Sequence, residues 1–220
     1  MCTNLRLTIA DESPAHRQEQ RSYKHALKRV LDVAAALLLL CLLSPLLVIL
    51  ATLIIIADGP PIIYRRRVLG IDGEFDAYKF RTMCCNADAI LEADPHLRNE
   101  FTRNFKLQSD PRVTRLGAWL RKYSLDELPQ LVNVLKGQMS LVGPRMITAP
   151  ELSKYGEYRE LLQTVKPGLT GYWQTQGRQE LDYGERVRMD VHYITNWSLR
   201  MDLLILLQTP WVVIKGKGAY

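Results

Sequence analysis

The hydrophobic positions divide the chain into one long apolar stretch and several shorter amphipathic ones. Val30–Ala57 is apolar except at three positions, and at about 1.5 Å per residue a helix of this length crosses a bilayer. Ser44-Pro45 stands at its midpoint, where the proline opposes the carbonyl of Cys41 and kinks a helix. The pattern therefore predicts a membrane helix that bends near its middle.

The flanks of this stretch favour one path for that helix. Both are basic: Arg21, Lys24, Lys28 and Arg29 come before it, and Arg65, Arg66 and Arg67 come after it. The positive-inside rule places both ends in the cytoplasm, which a re-entrant helix satisfies. A kinked spanning helix also fits the length, and a buried helix of a soluble protein fits it least. Residues 1–22 are polar without an apolar period, which predicts a flexible tail.

The hydrophobic period changes after the apolar stretch. Ile62–Tyr64 and Phe75–Phe80 flank the turn signal Asp72-Gly73, which predicts a β-hairpin. A helical pattern broken at Pro95 follows, and Asp110-Pro111 predicts the capped start of another helix. Further helical patterns cover 150–162, the region of Tyr183, Val187 and Val191, and Leu203–Ile214, the last of which is too short to span a membrane. Pro167, Gly168 and Gly171 predict a tight loop that either approaches a ligand or is a plain turn.

Ser124–Arg145 is the segment with the clearest candidate chemistry. Ser124 and Glu127 have the spacing of a capping box, and the helix that follows is predicted to end at Gly137. Asp126 and Glu127 then lie in the first turn. There the free amides and the helix dipole are expected to keep Asp126 ionised and to attract phosphate. A capped core helix without chemistry fits the same pattern, but Arg121, Lys136 and Arg145 surround the carboxylates with cations.

Composition narrows the kind of chemistry. The 220 residues carry a net charge of +6, which suits phosphate-bearing partners, and the four cysteines form no metal or disulfide pattern. The sequence contains no phosphate-binding GxxxxGK[ST] loop, no GxGxxG, no GxSxG and no HExxH motif. What remains is a set of carboxylates and cations beside a membrane, which suits phosphoryl transfer.

At this point the chain resembles the monotopic phosphoglycosyl transferases, also called the bacterial sugar transferases. The resemblance is closest to members that attach galactose or glucose phosphate to undecaprenyl phosphate. The matching stretches are KRVLDV at 28–33, the Ser44-Pro45 break, YKFRTM at 78–83, DPRVTRLGAWLRKYSLDELPQLVNVLKGQMSLVGPR at 110–145, KPGLTGYWQ at 166–174 and HYITNWSLRMDLLILLQT at 192–209. Two positions depart from the family pattern: Met146 replaces a usual proline, and Gln179 stands where asparagine or aspartate is common.

The resemblance implies a two-step reaction. Asp126 attacks the β-phosphate of UDP-galactose or UDP-glucose, releases UMP and carries the sugar phosphate until undecaprenyl phosphate accepts it. Glu127 assists, and Mg²⁺ is held by Asp126 and Glu127. The implied phosphate-binding residues are Arg121, Arg145 and Lys79. Lys28, Arg29 and Asp32 are implied to anchor the membrane helix at the lipid headgroups, with the bend at Ser44 and Pro45.

The resemblance also implies an architecture and a location. The expected fold is α+β and mainly helical, with a tail (1–22), a re-entrant membrane helix (23–58) and a cytoplasmic catalytic domain (59–220) with a small β-hairpin and amphipathic interfacial helices. The expected place is the bacterial inner membrane, at the first membrane step of exopolysaccharide biosynthesis. The bilayer and later glycosyltransferases are the expected partners, without nucleic acid, and a homo-oligomer is left open.

Two alternatives to this function stay open. The first keeps the chemistry and uses an N-acetylated or deoxyamino UDP-sugar. The second is a non-catalytic module that binds anionic lipid through its basic faces, with an affinity that falls steeply with salt. The Asp126-Glu127 pair distinguishes the two classes, because a lipid-binding module does not need it.

Overall fold

The computed structural model describes residues 14–104, 107, 109–176 and 182–215. Its α-helices are α1 (Pro14–Asp58), α2 (Ala87–Ala93), α3 (Pro95–Asn104), α4 (Arg115–Lys122), α5 (Leu131–Leu135), α6 (Arg159–Leu162), α7 (Tyr172–Gln176), α8 (Tyr183–Thr195) and α9 (Leu199–Lys215). Its strands are β1 (Ile63–Gly70), β2 (Gly73–Phe80), β3 (Ser140–Val142) and β4 (Gly168–Thr170), and 3₁₀ helices cover Leu125–Gln130 and Pro150–Tyr158. The prediction of a mainly helical fold with a small antiparallel hairpin is confirmed.

The helix α1 begins earlier than the sequence analysis predicted. Residues 14–22, which we assigned to the flexible tail, are helical, while 1–13 lie outside the described residues. Pro14 suits the first helical position, and the residues after it are mostly unbranched side chains with high helix propensity. Because these residues are polar all round, the apolar period that marks the membrane helix does not reveal them.

The middle of α1 contains Pro45 within an uninterrupted helix. Proline has no N–H to donate, so the carbonyl of Cys41 loses its usual partner. The Ser44 hydroxyl donates a 2.8 Å hydrogen bond to that carbonyl. The Ser-Pro pair thus removes a backbone donor and supplies a side-chain donor in its place, which is the compensation needed where no water is available.

The two halves of α1 pack against one continuous body of the protein. In the first half, Ala36 joins a core cluster that includes Val134 and Met139. In the second half, Leu50 and Ile54 join a cluster with Phe80 and Leu120. Many apolar side chains on the rest of the helix are exposed, among them Leu38, Leu42, Val48 and Ile56. The segment 24–58 is long and apolar enough to cross a membrane.

Local sequence signals locate the elements around the hairpin correctly in most cases. The strands β1 and β2 form the predicted antiparallel hairpin, with its turn at Ile71-Asp72, and Pro95 separates α2 from α3. The predicted cap at Asp110 is wrong. Its carboxylate binds the Arg112 guanidinium at 2.8 and 2.7 Å, and the α4 cap is Thr114, whose hydroxyl accepts from the Gly117 amide.

A short parallel pair, β3 with β4, was not predicted. It joins Ser140 to Gly168 and Val142 to Thr170, so residues from two distant loops become neighbours. The approach is close: a Cβ on Gly168 would lie only 2.1 Å from the Gly143 amide nitrogen. The tight loop at 166–171 therefore packs its backbone against the corner Gly143-Pro144-Arg145, which settles why glycine is needed there.

Candidate active site

Asp126 and Glu127 lie side by side on the 3₁₀ helix Leu125–Gln130, which packs against β2. Asp126 is buried and Glu127 is half-buried. Lys79, on β2, places its Nζ 2.6 Å from Glu127 Oε1 and 4.0 Å from Asp126 Oδ2. The three residues singled out from two distant parts of the sequence thus form one cluster.

The predicted capping box at Ser124 is wrong. Ser124 has a left-handed backbone with φ of 52°, and its side chain makes no capping hydrogen bond. Its amide instead donates to the Arg121 carbonyl at 3.0 Å, which continues the end of α4. In a capping box the Glu127 carboxylate would bind that amide, but here it binds Lys79. The helix after the carboxylates does end at Gly137, with φ of 81°, as predicted.

The environments of the two carboxylates shift their pKa values in opposite directions. Burial raises the pKa of Asp126, and the Glu127 carboxylate adds to the rise, against the opposing charges of Lys79 and Arg121. Burial also acts to raise the pKa of Glu127, but Lys79 and Arg145 outweigh it and the pKa lies below its usual value. The expectation that the helix terminus holds Asp126 ionised is therefore corrected, because burial is the larger effect at this residue. Neighbouring carboxylates whose environments differ in this way are typical of sites that give the two groups different roles.

The position of Lys79 depends on a buried asparagine that the sequence analysis missed. Asn133, on α5, accepts a 3.0 Å hydrogen bond from the Tyr78 amide and donates a 2.8 Å bond to the Asp76 carbonyl. Its side chain therefore takes the place of a neighbouring strand along the outer edge of β2. Asn133 stands six residues after Glu127 in the sequence and looks like an ordinary polar residue of a helix, so the sequence does not indicate its role.

Arg121 lies at the end of α4 beside the carboxylates. Its Nε donates a 2.9 Å hydrogen bond to the Thr82 hydroxyl. Burial lowers its pKa, and the negative charge of Asp126 acts in the opposite direction. Because a guanidinium stays protonated in either case, Arg121 is a permanent positive charge next to Asp126.

Arg145 is the second arginine of the site, and its charge acts on Glu127. Its guanidinium carbon is 5.1 Å from the centre of the Trp173 ring, and this cation–π contact holds the side chain in place. Burial lowers its pKa, the neighbouring Arg186 adds to this, and Glu127 opposes it. The backbone of Arg145 is fixed by its bridge to Gly168.

The two departures from the family pattern have different outcomes. Met146 places a buried side chain in the core, whereas Gln179 lies outside the described residues.

The three polar residues at the start of the membrane helix bind protein atoms. Lys28 Nζ donates to the Val142 carbonyl and forms an ion pair with Asp202 at 2.6 Å. Arg29 donates to two carbonyls at the C-terminal end of α5, where the helix dipole is negative. Asp32 is buried and accepts from the Ser140 hydroxyl and the Leu141 amide. This differs from the headgroup contacts that the resemblance implied, because the start of α1 packs on β3 and α5.

Magnesium fits the donor set of this site. Among the described residues, no group of three or more His, Cys, Asp and Glu side chains forms a metal site. Mg²⁺, however, is often held by one or two carboxylates together with substrate phosphates. Asp126 and Glu127 supply two adjacent carboxylates, so the residues present suit an ion that arrives with a diphosphate.

Comparison with known proteins identifies the family. The bacterial sugar transferase profile matches residues 23–216, and the chain belongs to this family. It is 48% identical over 168 residues to an undecaprenyl-phosphate galactose phosphotransferase of Salmonella typhimurium, covering 74% of this chain and 35% of that protein. It is 43% identical over 226 residues to a UDP-galactose-lipid carrier transferase of Erwinia amylovora, covering 99% of this chain and 47% of that protein.

A relative of similar size is matched along most of its length. The exopolysaccharide production protein ExoY of Rhizobium meliloti is 43% identical over 198 residues, which cover 88% of each chain. In contrast, the chain spans between about a third and a half of the two longer relatives. The family match, from residue 23 to residue 216, covers the segments that carry the dyad, Lys79 and the arginines.

Proposed function

We propose that this chain transfers a hexose-1-phosphate from a UDP-sugar to undecaprenyl phosphate, giving undecaprenyl-diphospho-hexose and UMP. The observation that carries the proposal is the buried Asp126-Glu127 pair with Lys79 between the two carboxylates and Arg121 and Arg145 nearby. A module that only binds lipid has no reason to bury two adjacent carboxylates. The names of the relatives above, which mention galactose and a lipid carrier, favour galactose as the donor sugar, and glucose is the second candidate.

The first step uses Asp126 as the nucleophile. A carboxylate oxygen of Asp126 attacks the β-phosphorus, and the bond from that phosphorus to the oxygen bridging to the α-phosphate breaks. The bridging oxygen leaves with UMP, and the sugar phosphate stays on Asp126 as an acyl phosphate. Arg121 and Arg145 neutralise the charge that collects on the phosphate oxygens. Mg²⁺ held by Asp126 and Glu127 would neutralise part of the diphosphate charge when bound.

The second step regenerates the enzyme. A phosphate oxygen of undecaprenyl phosphate attacks the same phosphorus, the bond to Asp126 breaks, and the carboxylate is restored. The Lys79 ammonium is well placed for the incoming phosphate, since it lies between both carboxylates. The product would then be the acceptor for glycosyltransferases that extend an exopolysaccharide.

The packing of α1 supports a re-entrant path, and the basic residues on both flanks favour the cytoplasmic face for the catalytic part. A straight helix would separate the ends of the apolar stretch Val30–Ala57 by roughly 40 Å, the thickness of a bilayer with its headgroups. Yet Asp32, near one end, binds Ser140, and Asp58, at the other end, binds the Thr114 hydroxyl at 3.0 Å. Both partners belong to the body of the protein, which lies on one side of a membrane.

Cysteine accessibility tests this topology. Single cysteines placed at Lys24 and at Arg65, in a background without the native cysteines, would both react with an impermeant thiol reagent added to inside-out vesicles. A re-entrant helix predicts labelling at both positions from the cytoplasmic side only. Labelling of the two positions from opposite sides would mean that the helix spans the bilayer.

Release of UMP tests the reaction. Purified protein with Mg²⁺ is given UDP-galactose or UDP-glucose, with and without undecaprenyl phosphate, alongside Asp126→Asn. We expect release that multiplies when the lipid is added, and a covalent sugar-phosphate label on the protein that Asp126→Asn lacks. Near-normal turnover by Asp126→Asn would overturn the nucleophile. Release only from N-acetylated donors would change the sugar, and no release from any donor would overturn the transferase.

A further inference from the structure

Buried polar atoms without partners cluster next to the candidate active site. Within the part of the chain that the structure describes, eight buried side-chain nitrogen and oxygen atoms have no hydrogen-bond partner. Five of the eight belong to four residues of α7 and α8: Trp173 Nε1, Tyr183 Oη, Arg186 Nε and Nη2, and Asp190 Oδ1. Unsatisfied polar atoms that arise by chance would be spread over the molecule, so this concentration indicates a specific site at α7 and α8.

These four residues form one surface. Tyr183, Arg186 and Asp190 follow one another on one face of α8, at the spacing of successive helical turns. The Arg186 guanidinium carbon lies 3.9 Å from the centre of the Tyr183 ring and 5.8 Å from the centre of the Trp173 ring. Arg145 contacts the same Trp173 ring. We call Trp173, Tyr183, Arg186 and Asp190 the α7–α8 cluster.

The free energy of these unpaired groups points to a ligand. A buried donor or acceptor without a partner costs about 1–3 kcal/mol, and the cost is larger for a charged group. Four of the five atoms carry hydrogens to donate, and the indole and guanidinium nitrogens can only donate. The fifth atom, Asp190 Oδ1, is an acceptor. Four unpaired donor atoms on three neighbouring side chains, with a second guanidinium at the same indole ring, suit an anion with several acceptor oxygens.

The position of the α7–α8 cluster relative to the dyad selects the anion. Arg145 and Arg186 both contact the Trp173 ring, at 5.1 and 5.8 Å from its centre, and Arg145 is the one of the two whose charge acts on the Glu127 carboxylate. Arg186 therefore adds a second guanidinium at the ring that Arg145 contacts. In a nucleotide sugar, the phosphate next to the reacting one is the α-phosphate, which carries the nucleoside.

We propose that Arg186, with the donors of Trp173 and Tyr183, binds the α-phosphate of the nucleotide sugar, the phosphate that leaves in UMP. This assignment rests on the proposed function. Arg186 then contacts the substrate at the leaving-group side and stabilises the charge that develops on the departing oxygen. Arg145 lies between the two phosphates.

A binding experiment isolates this site from turnover. Full-length protein in detergent is titrated with UMP and, separately, with uridine, which lacks the phosphate. The variant is Arg186→Gln, and the matched control is Arg188→Gln, the same change at an exposed position of the same helix. We expect Arg186→Gln to weaken UMP binding at least tenfold, as the loss of a charge-assisted hydrogen bond predicts, and to leave uridine binding unchanged. Arg188→Gln should bind both probes like the unmodified protein.

A second variant covers the case in which Arg186→Gln does not fold. Tyr183→Phe removes only the unpaired hydroxyl and should weaken UMP binding about threefold to tenfold, again without changing uridine binding. Equal UMP affinity in the unmodified protein and the variants would overturn the assignment. So would a variant that raises the KM for undecaprenyl phosphate and keeps its affinity for UMP, because the cluster would then bind the lipid phosphate.

Turnover measured on the same samples separates this inference from the proposed function. UMP release by the unmodified protein together with unchanged UMP affinity in Arg186→Gln would leave the transferase standing and remove the α-phosphate site. UMP binding that depends on Arg186, without turnover of any UDP-sugar, would leave the site standing and remove the transferase.

Discussion

Lys79 donates a 2.6 Å hydrogen bond to Glu127 and lies 4.0 Å from Asp126, so one ammonium serves both carboxylates. This contact opposes the effect of burial on their pKa values. In Lys79→Met both pKa values should rise. In the proposed first step Asp126 attacks phosphorus as a carboxylate, so the acid limb of a plot of kcat/KM against pH should move to higher pH.

The control for this prediction is Lys136→Met. Lys136 is exposed and binds the Tyr78 hydroxyl at 2.7 Å on the neighbouring side of β2. Lys136→Met removes the same charge without changing a contact of the dyad, so the acid limb of its pH profile should coincide with that of the unmodified protein. Identical limbs in Lys79→Met and Lys136→Met would contradict the role of Lys79.

Asn133→Ala should lower the free energy of unfolding by about 2 kcal/mol or more, because it leaves the Tyr78 amide and the Asp76 carbonyl without their partner. Chemical denaturation monitored by circular dichroism measures this. Asn133→Ala should also lower turnover, because Lys79 directly follows Tyr78 on β2 and a displaced strand would move its ammonium. Asn86→Ala, at an exposed site without a side-chain cap bond, should stay within about 0.5 kcal/mol of the unmodified protein. An equal effect of both changes would mean that Asn133 is not what holds β2.

Asp190 makes stability depend on pH in an unusual direction. Burial raises its pKa to about 7 from an ordinary value of 3.8, although the Tyr155 hydroxyl donates a 2.8 Å bond to it. Between these two pH values the folded protein keeps a proton that the unfolded chain has lost. Stability therefore falls as the pH rises, by about 4 kcal/mol in total from this residue.

Asp190→Asn should remove the part of the pH dependence of stability that comes from Asp190. The difference in unfolding free energy between Asp190→Asn and the unmodified protein should shift in favour of the variant as the pH rises from 4 to 8. Asp88→Asn, an exposed aspartate on α2, serves as the reference for changes elsewhere. A constant difference across this range would show that Asp190 titrates normally.

Gly168→Ala should be strongly destabilising, because its Cβ would lie 2.1 Å from a backbone nitrogen that has no room to move. The thermal midpoint should fall by more than 5 °C, and UMP release should fall with it, as Arg145 is bridged to Gly168. Gly184→Ala, inside α8, would meet only the end of the Asp182 side chain and should be neutral or slightly stabilising. A Gly168→Ala protein as stable as Gly184→Ala would contradict the close approach of the two loops.

Local signals in the sequence were sufficient where no distant partner competes. The hairpin turn at Asp72-Gly73, the break at Pro95 and the end at Gly137 each depend on backbone conformation within a few residues. The break and the helix end are found where predicted, and the turn lies one residue earlier, at Ile71-Asp72. Ser124 and Asp110 failed as caps for the opposite reason. Lys79 binds the Glu127 carboxylate that a capping box needs. The Asp110 carboxylate binds both the amide and the guanidinium of Arg112 in a turn, and the helix begins only at Arg115, after Thr114.

The candidate site was predictable in part. Asp126, Glu127 and the nearby cations stand out as a charged group at one end of a helix. The pairing of β3 with β4 depends on two three-residue strands far apart in the chain, and so few residues carry no recognisable pattern. Arg186 has no signal of its own either, since Arg186 and Arg188 look alike in the sequence and differ only in what the fold places beside them.

Arg81 connects the membrane helix to the chemistry. Its guanidinium binds the carbonyls of Asp58, Gly59 and Pro60 where the chain leaves α1, and it follows Lys79 by two residues. Because Arg81 follows Lys79 by only two residues, a substitution that displaces the end of α1 is expected to displace the ammonium beside Asp126 as well.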